Sequence, residues 1–135
     1  MRMLAPILIG SILAAGGTAY AGKKSSKDDK YVIETVGEPE RCIRRSQIRS
    51  TDVISNKIID FKMRGGDIYR NTLPHKCSGL AFEEAFSYRT SVNQLCSVDI
   101  IRVLDNTGGR IQERNACGLG DFQKIKKTKK EPEEN

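Results

Sequence analysis

From residue 57 to residue 73 the chain alternates with a period of two. Ile59, Phe61 and Met63 fall on one side, and Ile58, Asp60 and Lys62 on the other, as a half-buried strand requires. Arg64-Gly65-Gly66-Asp67 interrupts the pattern with glycines free to take positive φ. Tyr69, Asn71 and Leu73 then resume it, so the segment predicts a β-hairpin. Residues 49–54 predict a strand before a turn at Ser55-Asn56. Residues 98–104 are rich in β-branched side chains and end at Asp105-Asn106-Thr107-Gly108-Gly109, a turn signal. Residues 110–114 and 118–122 predict the last strands, and Phe86, Tyr88 and Thr90 alternate as another. Only residues 79–85, with Phe82 and Phe86 four apart around Glu83-Glu84, carry helical spacing. Short strands with glycine-rich turns predict a mostly β fold, a small single-domain antiparallel barrel or sandwich. Spacing leaves those two open; a barrel would remove exposed strand edges.

The beginning of the chain follows a different rule. Arg2 precedes an uncharged run from Met3 to Gly17, and Ala19 and Ala21 supply the small residues of an A-x-A site. These are the parts of a secretory signal peptide. They predict residues 1–21 as a signal peptide, cleaved between Ala21 and Gly22. The run holds Pro6, ends in Gly16-Gly17 and is shorter than the roughly 20 apolar residues a spanning helix needs. The expected product is periplasmic or secreted.

Export governs how the four cysteines, at 42, 77, 96 and 117, are read. An even number in a short exported chain predicts disulfides. No C-x-x-C pair and a single histidine argue against zinc, and no cofactor motif is visible. Of the three possible pairings, the expected one joins Cys77 to Cys96 and Cys42 to Cys117. The first would pin the loop holding Pro74 and Gly79 to the strand at Cys96. The second would tie the domain's entrance to its exit.

Charge changes the picture less than its total suggests. The formal net charge is +6, yet residues 31–123 carry thirteen Lys and Arg against twelve Asp and Glu. The excess falls on residues 22–30 and 124–135, each at +2. Both stretches lack apolar content and predict disorder: a linker at 22–30 and a charged tail at 124–135, around a β-rich domain at 31–123. Basic tails support at most weak peripheral contact with anionic lipid. Nucleic-acid binding would want a basic folded face, so no nucleic-acid partner is expected.

Arg41-Cys42-Ile43, Leu73-Pro74 with Cys77-Ser78-Gly79-Leu80, residues 95–100 (Leu-Cys-Ser-Val-Asp-Ile) and residues 117–122 (Cys-Gly-Leu-Gly-Asp-Phe) occur in this order. The pattern resembles a family of small exported proteobacterial proteins known only as a domain of unknown function. The resemblance spans about residues 40–123 and implies a Gram-negative envelope setting. It supplies no activity, ligand or catalytic residue.

Catalytic chemistry has few carriers. His75 is the only histidine available as a base for a nucleophile, and Cys77 beside it is no nucleophile once bridged. Asp99, among Val98, Ile100 and Ile101 on a predicted apolar strand, is the carboxylate to examine first. Asp52, Asp60 and Asp67 sit around the hairpins. Carboxylates in such places commonly bind backbone amides or face water. The expected function is non-enzymatic: an envelope protein that binds an envelope protein or small ligand, or has an accessory role. An inhibitor of a hydrolase, presenting the His75 loop or the 105–110 turn, is the alternative. A cell-wall hydrolase with paired carboxylates is the remaining class.

Overall fold

The computed structural model describes residues 27–132. The expected signal peptide, its expected cleavage site at Ala21 and Gly22, and residues 22–26 of the expected linker lie outside the described residues, as do residues 133–135.

Ten strands follow one another as β1 (Tyr31–Thr35), β2 (Cys42–Arg44), β3 (Ile48–Val53), β4 (Ile58–Met63), β5 (Ile68–Thr72), β6 (Phe86–Tyr88), β7 (Gln94–Cys96), β8 (Ile100–Asp105), β9 (Gln112–Gly118) and β10 (Phe122–Lys129). A single helical turn, α1 (Leu80–Glu83), sits between β5 and β6, inside the segment whose spacing is helical. The strands form an antiparallel five-stranded sheet in the order β1-β10-β5-β4-β3, a three-stranded sheet β6-β8-β9, and a ribbon β2-β7. The sheets do not close into a barrel.

The expected hairpin is β4-β5. Met63 and Asp67 close its turn, the Met63 amide donating to the Asp67 carbonyl at 2.8 Å. Gly66 carries the positive φ, 94°.

One core lies between the two larger sheets. Ile59, Phe61 and Met63 of β4, Leu73 and Phe122 meet Leu80, Ile101 and Val103 in it. Phe61 touches Phe122 edge-on with ring centroids 5.4 Å apart, and reaches Phe86 of the other sheet at 6.2 Å. Such edge-to-face aromatic pairs add about 0.5–1.5 kcal/mol beyond area burial.

Three expectations are corrected. The bridges join Cys42 to Cys96 and Cys77 to Cys117, not 77 to 96 and 42 to 117. The reason is register: Cys42 and Cys96 stand opposite each other in the β2-β7 ladder, which spacing along the chain does not reveal. The 124–135 tail is not disordered over its first half, because residues 124–129 belong to β10, paired with β1 on one side and β5 on the other. Its lysines find distant carboxylates, Lys124 at Asp67 (3.3 Å) and Lys127 at Asp60. Residues 27–30 of the expected linker are likewise ordered, as a turn that leads into β1.

Where β9 passes to β10, Asn71 of β5 clamps the chain. Its amide donates to the Gly120 carbonyl at 2.7 Å and its side-chain oxygen accepts from the Gly120 amide at 2.8 Å. A Cβ on Gly120 would lie 2.2 Å from the Thr72 carbonyl oxygen, so backbone would have to move. Gly120→Ala is expected to lower stability by about 2–3 kcal/mol, as overpacking against immovable atoms does. Urea unfolding measures it, and an unchanged midpoint would contradict the close approach.

Candidate functional site

The three-stranded sheet shows its core side through Phe86, Tyr88, Ile101 and Val103. The residues between them face outward: Ser87 of β6 pairs with Arg102 of β8, and Leu104 of β8 with Glu113 of β9. This outer face carries a groove of about 300 Å³ bounded by Ser87, Arg89, Val98, Ile100, Arg102 and Glu113, with Asp99 at its wall.

Its electrostatics are uneven. The Glu113 carboxylate takes Arg89 Nη2 at 3.3 Å and Ser87 Oγ at 3.2 Å on one oxygen, and Arg102 Nε at 3.8 Å on the other. Two guanidiniums therefore share one carboxylate, in long and partly open contacts. Beside them Val98 is 73% exposed and Ile100 53%. A cationic excess next to bare aliphatic surface favours a ligand that joins an anionic group to an apolar one. Planar guanidinium forks suit carboxylate or phosphate oxygens.

Asp99 lines this groove, with one carboxylate oxygen turned onto backbone. The expected placement on an apolar strand is corrected: β8 begins at Ile100, and Asp99 closes the turn after β7. Asp99 Oδ2 accepts from the Cys96 amide at 2.6 Å, and the Asp99 amide donates to the Cys96 carbonyl at 2.9 Å. A three-residue turn turns its carboxylate onto backbone, which is the ordinary structural use. His75 is exposed in the loop after β5, and neighbouring Cys77 is bonded to Cys117. Among the described residues the groove brings Glu113, already held by Arg89 and Arg102, to the same lining as Asp99, and not His75.

The outer face of the five-stranded sheet holds a second cluster, which the sequence pattern missed. The alternation placed Asp60 on the polar side of β4, and the side is right, but that side is covered. Asp60 is fully buried. Arg70 of β5 donates to both its oxygens, at 2.8 and 2.9 Å, and Lys127 of β10 lies 2.6 Å from it. Asp28 completes the set, 2.9 Å from Arg70 Nη1 and 3.5 Å from Lys127. Two carboxylates and two cations balance, which is how buried charge is tolerated. Lys27 continues across the sheet to Asp52 at 3.0 Å and to Glu84. The turn at 27–30 is thereby strapped over β10, β5 and β3.

Proton affinity follows from this placement. Burial pushes the Asp28 carboxyl up, but the hydrogen bonds and charge of Arg70, with Lys127 beside it, outweigh burial and hold it below its ordinary value. Asp105 is also held low, by the Thr107 hydroxyl first and then by Arg114. Groups depressed in the folded state stabilise it fully above their unfolded pKa and cease to do so as pH falls through the folded one. The melting temperature is expected to hold from neutrality down to roughly pH 5 and to fall below about pH 4. Melts across that range check this, with Asp28→Asn expected to flatten the acid limb.

Among the described residues no group of three His, Cys, Asp or Glu is placed to hold a metal ion, and no helix is long and apolar enough to cross a membrane. Arg89, Arg102 and Glu113 went unnoticed in the sequence because charges on short strands read as solvated. The usable signal was Val98 and Ile100, apolar residues two apart around a turn. Comparison with protein-family models, with curated proteins and with solved structures finds nothing that matches this chain.

Proposed function

We propose that this chain is an exported envelope protein, periplasmic after removal of residues 1–21, that acts by binding a protein partner or small ligand and not by catalysis. The observation that carries the reading is the outer groove of the β6-β8-β9 sheet, where Arg89 and Arg102 share Glu113 beside exposed Val98 and Ile100. Two disulfides agree with an oxidising, extracytoplasmic compartment. The resemblance to small exported proteobacterial proteins points the same way. The carboxylates named from the sequence have other work: Asp60 sits in an ion cluster and Asp99 holds backbone. A hydrolase would need two such groups about 5–9 Å apart with room for substrate.

A second reading, inhibition of a hydrolase, is favoured by the segment after β8. Residues 106–111, which connect β8 to β9, are all exposed, and Ile111 is 73% exposed. The base of this turn is tied by Asp105, which takes Arg114 Nε at 2.8 Å and bonds the Thr107 hydroxyl. A turn tied at its base loses less entropy on entering a cleft than a free one.

Two measurements test the proposal. Intact mass of the exported protein is expected to show loss of residues 1–21 and of four hydrogens; unprocessed, reduced chain in the cytosol overturns the location. Capture from periplasmic extract is expected to yield a stoichiometric partner that Arg89→Glu/Arg102→Glu/Val98→Ser loses. A partner lost only on changing Ile111 selects the inhibitor reading. Turnover of purified wall fragments by the wild type overturns both.

A further inference from the structure

A sheet that ends in solvent exposes a row of unpaired N–H and C=O groups, which folds blunt with bulges, charges or very short strands. Among the described residues the edges are β1 and β3 of the large sheet and β6 and β9 of the small one. In β3, Ile48 pairs with Met63 and Ser50 with Lys62, so Arg49 is an extra, bulged residue. In β9, Ala116 pairs with Arg102 and Glu113 with Leu104, so two residues oppose Val103. The β6 edge is only three residues long. β1 is the exception: its register against β10 runs unbroken from Tyr31 to Thr35.

The phase of that ladder decides which groups β1 offers. The Lys30 carbonyl accepts from the Lys130 amide at 3.0 Å, and the Val36 amide donates to the Lys124 carbonyl at 2.8 Å. Antiparallel strands present successive residues to opposite sides, so residues 30, 32, 34 and 36 bond toward β10. Ile33 and Thr35 direct their N–H and C=O groups away from the sheet. The Tyr31 amide also points away and is taken by the Asp28 carbonyl at 2.8 Å. Along this edge Val32 and Val36 stay exposed, at 47% and 43%.

We propose that β1 is a self-pairing edge: a second copy of this chain adds its own β1 antiparallel, joining two five-stranded sheets into one. The occupant follows from charge and register. The segment opens with Lys30 and carries Glu34 near its other end, so an antiparallel copy sets each cation toward the other's anion. With Ile33 on the twofold axis, the two Ile33 residues exchange a pair of backbone bonds. Each Thr35 amide then donates to the second copy's Tyr31 carbonyl. Ile33 meets Ile33, and Val32 meets the stem of Glu34, cross-strand pairs of the kind that stabilise sheets. Two five-residue strands bury well under the roughly 1,200 Å² of standard complexes, so dissociation constants of about 10–1,000 μM are expected.

Sedimentation equilibrium of the oxidised, exported protein from about 10 μM to about 1 mM spans that range. A monomer–dimer equilibrium is expected. Thr35→Pro removes an outward N–H and leaves the β1-β10 ladder intact, a position where an edge strand accepts proline. It is expected to weaken association at least about tenfold with an unchanged far-UV spectrum. Should that variant lose its fold, charge exchange decides: Glu34→Lys weakens the dimer, and Lys30→Glu/Glu34→Lys restores it. A monomer at every concentration overturns the proposal. So does a dimer indifferent to both Thr35→Pro and Glu34→Lys.

Discussion

Asp60→Ala is expected to cost the folded state about 3–5 kcal/mol, the usual loss when one partner of a buried ion pair is removed. The reason is what it leaves behind. Arg70 and Lys127, with side chains only 13% and 12% exposed, would keep their charges and share Asp28 alone. For a domain of this size about 1 kcal/mol shifts the melting temperature by roughly 4–8 °C, so a fall of about 12 °C or more is expected. The cluster itself is a different matter. Replacing it whole by uncharged residues of like volume is often neutral, so Asp28→Asn/Asp60→Leu/Arg70→Met/Lys127→Met is expected to recover most of the loss. A drop below about 3 °C for Asp60→Ala would mean that water reaches the carboxylate. The cluster joins β4, β5 and β10 to the turn at Asp28. Its loss is therefore expected to release residues 27–30 first, visible as faster amide exchange at Tyr31, whose N–H depends on the Asp28 carbonyl.

Opening the bridges is the second large effect. Cys42–Cys96 spans 54 positions and Cys77–Cys117 spans 40. Loop-closure entropy assigns each about 4 kcal/mol, before strain and residual unfolded structure are subtracted. Domains of this size have about 5–15 kcal/mol in total. Removal of both is therefore expected to unfold the domain or lower its melting temperature by tens of degrees, roughly 20 °C or more. The two are not equivalent. Cys42–Cys96 fastens the two-stranded β2-β7 ribbon, whose cysteines are partly exposed. Cys77 is fully buried in the shared core, so Cys77→Ala/Cys117→Ala loses packing as well as the tie. It is expected to be the more damaging pair, and reductant is expected to open Cys42–Cys96 first. Thermal melts of the two double variants, with and without reductant, check both statements; equal melts for oxidised and reduced wild type contradict them.

Local pattern was enough for much of this protein. Ile59, Phe61 and Met63 alternate with charged neighbours and do form the core face of β4. Gly66 and Gly108 mark turns and take positive φ there. The helical spacing around Phe82 became α1. Each of these depends on residues one to four apart, and such neighbours carry their own geometry. β1 carries no such signature: residues 31–36 are largely β-branched but do not alternate, and a charged segment precedes them.

What only the folded chain decided are matters of which distant segment lies opposite which. Cysteine spacing allows three pairings, and the β2-β7 register selects one by setting Cys42 against Cys96. A lysine-rich stretch reads as a solvated tail until Asp60 and Asp67, some sixty residues earlier, meet Lys127 and Lys124. Asp60 sits on the correct face of β4 by alternation, yet whether that face is wet depends on the strap at Asp28. The Glu113 groove likewise needs β6, β8 and β9 side by side before Arg89 and Arg102 share a carboxylate. A strand's own residues determine which way each side chain points; only the neighbouring strand determines what it meets, because that neighbour is brought in by long-range closure and not by local spacing.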